Sequence, residues 1–173
     1  MEAFGSLEVL SANEHLELLV EPVAKALAGV DGVGVTEIDP SLSDTAAFCE
    51  HYGIGLAQAA NCIVLKTKGG EYPYVALMVL GSTHADVNGV ARYAIGAKVS
   101  FAPMEEAVVA TGMEHGAVTP IGLPPAWPIL IDKAVADSSR LVIGSGVRSS
   151  KLVVSGAFLV ALPNARIIDG LAK

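Results

Sequence analysis

The sequence predicts an α+β fold: a mixed, barrel-like β-sheet with helices packed around it, in a single domain spanning residues 1–173. Three observations predict it. Short apolar runs rich in β-branched residues recur along the chain, helical patterns separate them on no strict βαβ schedule, and Gly or Pro marks the junctions. A chain of 173 residues can bury roughly 70% of its unfolded surface in one core.

The elements follow in order. Ser11-Ala12-Asn13-Glu14 reads as a capping box opening a helix through Leu16, Leu18, Leu19 and Val20. Pro22 breaks that helix or starts a second one ending at Gly29. Val33 to Ile38 alternates as a strand, and Ser43 or Asp44 caps a helix that reaches Tyr52 and stops at Gly53. Asn61-Cys62-Ile63-Val64-Leu65-Lys66 is a strand, and the Gly69-Gly70 turn leads to a second one around Tyr74 to Leu80. Asp86 to Ile95 reads as a helix ending at Gly96, Lys98 to Phe101 as a strand, and Pro103 starts a helix with Glu105 and Glu106 in its first turn. After a Gly- and Pro-rich segment, 111–128, strands return at Ile129–Asp132, Leu141–Ile143 and Leu152–Val154. A short helix near Phe158–Leu162 and a last strand around Ile167 complete the chain.

Composition narrows the function. The apolar fraction is 52% and the mean hydropathy +0.53, yet no run approaches the roughly 18 apolar residues of a membrane span. The N-terminal segment carries Glu2 and Glu8 with no basic region before an apolar stretch, so no signal peptide is expected. Cys49 and Cys62 lack metal spacing, as do the four histidines, and free thiols fit a cytoplasmic location. The net charge of −7 opposes a nucleic-acid partner. Its distribution does not: residues 1–50 hold ten acids and one base, whereas Arg140, Arg148, Lys151, Arg166 and Lys173 face only Asp169 after residue 139.

Two segments can carry chemistry. Residues 111–124, TGMEHGAVTPIGLP, form a loop held by Gly and Pro, which either crosses the sheet as a connection or holds backbone N–H groups ready for an oxyanion. Val142-Ile143-Gly144-Ser145-Gly146-Val147-Arg148-Ser149-Ser150-Lys151 is a strand leaving into a Gly-Ser loop with two bases. It suits a sugar-phosphate, and equally an ordinary turn. On the strand within Gln58 to Thr67, Asn61 and Lys66 stand five apart and so point to opposite faces.

Together these segments resemble the YbaK/EbsC family, the prolyl-tRNA-synthetase-associated editing domain. Thr111-Gly112, Gly116-x-x-x-Pro120 and Ile121-Gly122 carry the resemblance, with Pro128 to Asp132, Gly144-Ser145-Gly146 and Asp86 to Lys98 in matching order across about residues 36–152. The resemblance implies a metal-free, cofactor-free deacylase that cleaves the ester of a mischarged tRNA, tRNA-Pro carrying alanine or cysteine among them. It implies that Gly116, Ala117, Val118, Thr119 and Pro120 cradle the ester. Asn61 falls where the family has a lysine, and Gly144 and Lys151 stand where its cysteine-specific branch has a serine and an acid, with Ser145 one residue away. The expectation is therefore that Asn61 and Ser145 are catalytic. Gly144 and Gly146 would bind substrate, with Arg148 and Lys151 on acceptor-stem phosphates. Lys66 is left as a solvated strand-end residue. The alternative is a binding module of the same fold that has lost catalysis. No membrane partner is expected, and self-association is left open.

Overall fold

The computed structural model describes residues 4–173. Its strands form two sheets. The first is antiparallel, in the order β1 (Leu10–Ser11), β2 (Gly34–Glu37), β8 (Ser150–Val154), β7 (Leu141–Gly144). The second is mixed, in the order β5 (Lys98–Phe101), β3 (Ala60–Lys68), β4 (Tyr74–Leu80), β6 (Ile129–Asp132), β9 (Ala165–Ile168). β3 is antiparallel to β4 and β5, while β4–β6 and β6–β9 are parallel. A parallel bridge from Ala59 to Val142 ties the sheets at one corner. The α+β, mixed-sheet expectation holds, and the two sheets stay open instead of closing into a barrel.

The helices are α1 (Glu21–Leu27), α2 (Thr45–Tyr52), α3 (Arg92–Ile95, continuing a π turn at Val87–Ala91), α4 (Met104–Thr111), α5 (Lys133–Ala136) and α6 (Gly156–Val160). α5 was not expected from the sequence. None of the described helices is long and apolar enough to cross a membrane.

The apolar run of β4 is buried from Val75 to Leu80 because both of its faces are covered. Ala76, Met78 and Leu80 meet Val35, Ile143, Leu152 and Val154 between the sheets. Val75, Leu77 and Val79 meet Leu65, Ala91 and Leu130 beneath α3. A third cluster joins Phe48 of α2 to Val142 and Val153 on the outer face of the first sheet. Each fully buried Leu or Ile in these layers contributes about 1.5–3 kcal/mol relative to exposure.

The N-terminal capping box does not form. Ser11 makes no side-chain cap, and two 3-10 turns, Ala12–Glu14 and Leu16–Leu18, replace the expected helix. The Asn13 side-chain oxygen instead accepts from Gly29 N at 2.6 Å, tying this segment to the end of α1. Pro22 does start α1, and Gly53, with φ 68°, ends α2 as expected.

Candidate functional site

A cleft of about 440 Å³ opens where the sheets meet. Its walls are the start of α2 (Ser43, Asp44, Thr45), the first half of β3 (Ala60 to Val64), and the loop at His115, Gly116 and Val118 with Gly144 and Lys151 behind it. Phe101, Ala102, Met104 and Ala107 close the fourth side.

Asn61 lines this cleft, as strand parity requires if Lys66 is to point away. Thr45 Oγ1 donates to Asn61 Oδ1 at 2.6 Å. The Asn61 NH2 group has no acceptor among the described residues, so it is left for a ligand. β5 covers only Leu65–Lys68, and the first half of β3 therefore keeps one edge unpaired by a strand. Ala102 N donates to Val64 O at 3.0 Å across that edge. By alternation, the main-chain N–H and C=O of Cys62 project from the same edge two residues earlier, into the cleft. Burial pushes the Cys62 thiol up to about 12, which removes it as a nucleophile at neutral pH.

Lys151 is the least expected occupant. It stands on β8 opposite Gly144, is 7% exposed, and lines the cleft. Its Nζ lies 4.9 Å from the centroid of the Phe48 ring, and it has no ion pair with any carboxylate among the described residues. Burial pushes its pKa down to about 8; the Cys49 thiol and the Asp44 carboxylate act the other way, and Arg148 adds to the lowering. The expected contact with acceptor-stem phosphates is thus corrected: this amine is inside the cleft.

The two Gly-rich segments pack on each other. Glu114 N donates to Gly146 O at 2.8 Å and Gly146 N to Ala117 O at 2.7 Å. A side chain at Gly144 would bring its Cβ to 2.5 Å from Val118 O, so only glycine lets the loop lie this close. Gly146, at φ 94°, is buried against Val20, Val23 and Met113 and does not reach the cleft. Ser145 is wholly buried, its hydroxyl bonded to Ser150 Oγ (2.8 Å), Ser150 O (2.9 Å) and Val147 O (3.0 Å). It holds the turn together and is not positioned for catalysis.

Ala117, Thr119 and Pro120 lie buried behind the loop, with Pro120 facing a separate apolar cavity beside Trp127 and Phe158. Arg148 clamps the rim. Its Nη1 donates to His115 O (3.2 Å), its Nη2 to Pro40 O (3.4 Å), and its main-chain N to Glu114 Oε1 (2.6 Å). Of the residues expected from the sequence, the cleft gathers Asn61, Gly116, Val118, Gly144 and Lys151.

Sequence reasoning missed Asp44 and Thr45 as cleft residues, reading the first as a helix cap and attaching no role to the second. Asp44 does head α2 but makes no side-chain cap bond, and it is the one acid among the cleft-lining residues. No local signal marks it: its place beside Thr45 matters only because Thr45 bonds Asn61 across the fold. No three His, Cys, Asp or Glu side chains among the described residues converge as a metal site.

The two-sheet α+β fold is shared with several solved structures. A candidate trans-editing enzyme for prolyl tRNA synthetase matches with a TM-score of 0.75 at 23% identity, covering 86% of this chain and 93% of that one. The hypothetical protein APE2540 matches at 0.79 with 19% identity, covering 88% and 100%. A scaffold protein used for computational epitope grafting matches at 0.74 with 22% identity, covering 87% and 95%. At these identities the likeness carries the fold. The aminoacyl-tRNA editing domain family matches residues 39–162, and the chain belongs to that family, the one its glycine and proline motifs resemble.

Proposed function

We propose that the cleft hydrolyses the ester joining a small amino acid to the 3′ end of a tRNA, with alanine or cysteine on tRNA-Pro the first substrates to try. One observation carries the reading: an amine nine-tenths buried without a carboxylate partner among the described residues, in a cleft that also presents the free NH2 of Asn61. The Lys151 ammonium has lost hydration and gained little in return, so an anion arriving beside it is stabilised strongly.

The aminoacyl ester is already activated, and the site has to position it and stabilise the charge that develops. Water oxygen bonds to the ester carbonyl carbon, and the carbonyl oxygen becomes an oxyanion facing Lys151 and the Asn61 amide. The carbon–ribose oxygen bond then breaks. Of the two protons the water brings, one ends on the ribose oxygen and the other passes to solvent, and the amino acid leaves as its carboxylate. Asp44, the cleft's acid, faces the substrate's α-ammonium. Ile63, Val118, Met104 and Ala107 bound the acyl space with apolar surface and favour a small side chain.

The test is release of amino acid from alanyl-, cysteinyl- and seryl-tRNA-Pro at low salt with enzyme in excess. Turnover of one of them, lost in Lys151→Met and reduced in Asn61→Ala, is the expected result. Wild-type turnover in Lys151→Met overturns the assigned cation. Asn61 standing in place of the family's lysine favours a second reading, a module that binds an aminoacylated end without cleaving it. Binding of a non-hydrolysable aminoacyl-adenosine analogue, with no release from any charged tRNA, selects that reading.

A further inference from the structure

The clamped Arg148 and buried Lys151 leave the RNA without its expected cations, and the outer edge of the larger sheet supplies others. We propose that β5 and the adjoining end of α3 form the docking track for the RNA whose 3′ end enters the cleft. The proposal rests on the hydrolase reading only for what the cleft does with that end.

Two shallow depressions continue from the cleft. The nearer is lined by Lys66, Lys68, Lys98 and Phe101, and it shares Phe101 with the cleft itself. The farther is lined by Arg92, Tyr93 and, again, Lys98. From Phe101 to Lys98 along β5 is roughly 10 Å. Neither depression has an acid in its lining, in a chain whose net charge is −7. Glu106 neutralises Lys66 at 2.9 Å. Lys68, Lys98 and Arg92 are exposed and form no ion pair among the described residues.

Two features separate this surface from an ordinary solvated one. Lys68 and Lys98 stand directly opposite each other in the β3–β5 register, an arrangement of like charges that works against the pairing unless an anion lies between or beside them. Phe101 and Tyr93 are 65% and 91% exposed, one at each end of the track. By alternation Lys98 and Phe101 leave opposite faces of β5, so amines and rings flank its exposed edge; that suits an unpaired nucleic-acid strand lying along the edge, since bases stack on rings while phosphates meet amines. Lysines on an edge strand also discourage pairing with a second copy of the chain, but that role needs neither exposed aromatic ring nor continuity with the cleft.

The test measures binding of an uncharged acceptor-stem minihelix RNA with an unpaired 3′ end, over a series of salt concentrations. For the triple substitution Arg92→Gln, Lys68→Gln, Lys98→Gln, the slope of log affinity against log salt becomes shallower by about 2. Phe101→Ala weakens binding roughly five- to a hundred-fold. Turnover of aminoacyl-adenosine, which is too short to reach the track, stays unchanged in the triple variant, and its melting temperature stays level or rises as the like-charge pair is relieved. Unchanged RNA affinity and slope overturn the proposal, and a triple variant that self-associates while binding RNA normally assigns the lysines to edge protection. Lysine-dependent RNA binding by a wild-type protein that hydrolyses no ester keeps the track and removes the hydrolase reading.

Discussion

At the far end of β3, Lys66 is about half-exposed and pairs with Glu106, which also accepts from Tyr74 Oη at 3.0 Å. On β8, Lys151 is buried over Phe48 with no carboxylate pairing among the described residues. The bond and charge of Glu106 raise the pKa of Lys66, whereas burial lowers that of Lys151 to about 8. The first lysine has an anion, and its bond contributes to the local packing of α4 on the sheet. The second has been stripped of water with only a ring face in exchange. The proposed site rests on this difference between the two lysines.

The comparison can be broken first at activity. Lys151→Met should lower single-turnover deacylation by about 10²–10³-fold, the range for removing an oxyanion donor. In the wild type the working form is the ammonium, so enzymatic rate above the background should fall as pH rises through about 8. A rate that climbs through the same region would make Lys151 a general base and sink the oxyanion role.

Stability sharpens the same contrast. The folded pKa of Lys151 lies below its unfolded value of 10.5, so between about 8 and 10.5 the unfolded chain holds more protons and stability rises with pH. The penalty is full below pH 8 and gone above 10.5. Lys151→Met should therefore unfold at higher denaturant at pH 7, by up to about 3 kcal/mol, with the advantage shrinking toward pH 10. An advantage independent of pH would show that the amine is not desolvated.

Smaller effects follow at Asp44 and Lys66. Asp44→Asn removes a carboxylate that supports the Lys151 charge, and it should move the alkaline limb to lower pH with roughly a tenfold loss in kcat/KM. An unmoved limb would separate Asp44 from Lys151. Lys66→Met should leave both turnover and melting temperature nearly unchanged, because an exposed ion pair gives little. A large loss of deacylation there would erase the distinction between the two lysines.

Much of this architecture can be read from periodicity. The β4 run, the Gly53 and Gly96 stops and the outward turn of Lys66 follow from local rules that the tertiary structure leaves intact. Asn61 is legible for the same reason, since alternation along β3 decides its face. Lys151 is not. Its surroundings are Phe48 and Asp44, a hundred residues earlier, and a count of charges sees only a basic C-terminal stretch. Ser145 misleads because a turn has no period: the neighbour of Gly144 faces inward to Ser150. The Ser11 box does not form, and the bond that ties this segment down, from Gly29 N to Asn13 Oδ1, joins residues that no local pattern links.

The half-covered edge of β3 also sets a clock for solvent protons. On one side the strand is laddered to β4 from Ala60 to Lys66, while the other side is strand-paired only from Leu65 onward. Main-chain amides that point to β4, such as that of Ile63, should exchange with deuterium only when the sheet opens, whereas the Cys62 amide between them should exchange within the native state. Slowing of that single amide on addition of an aminoacyl-adenosine analogue would report a ligand carbonyl seated against the strand, residue by residue and without any reaction taking place.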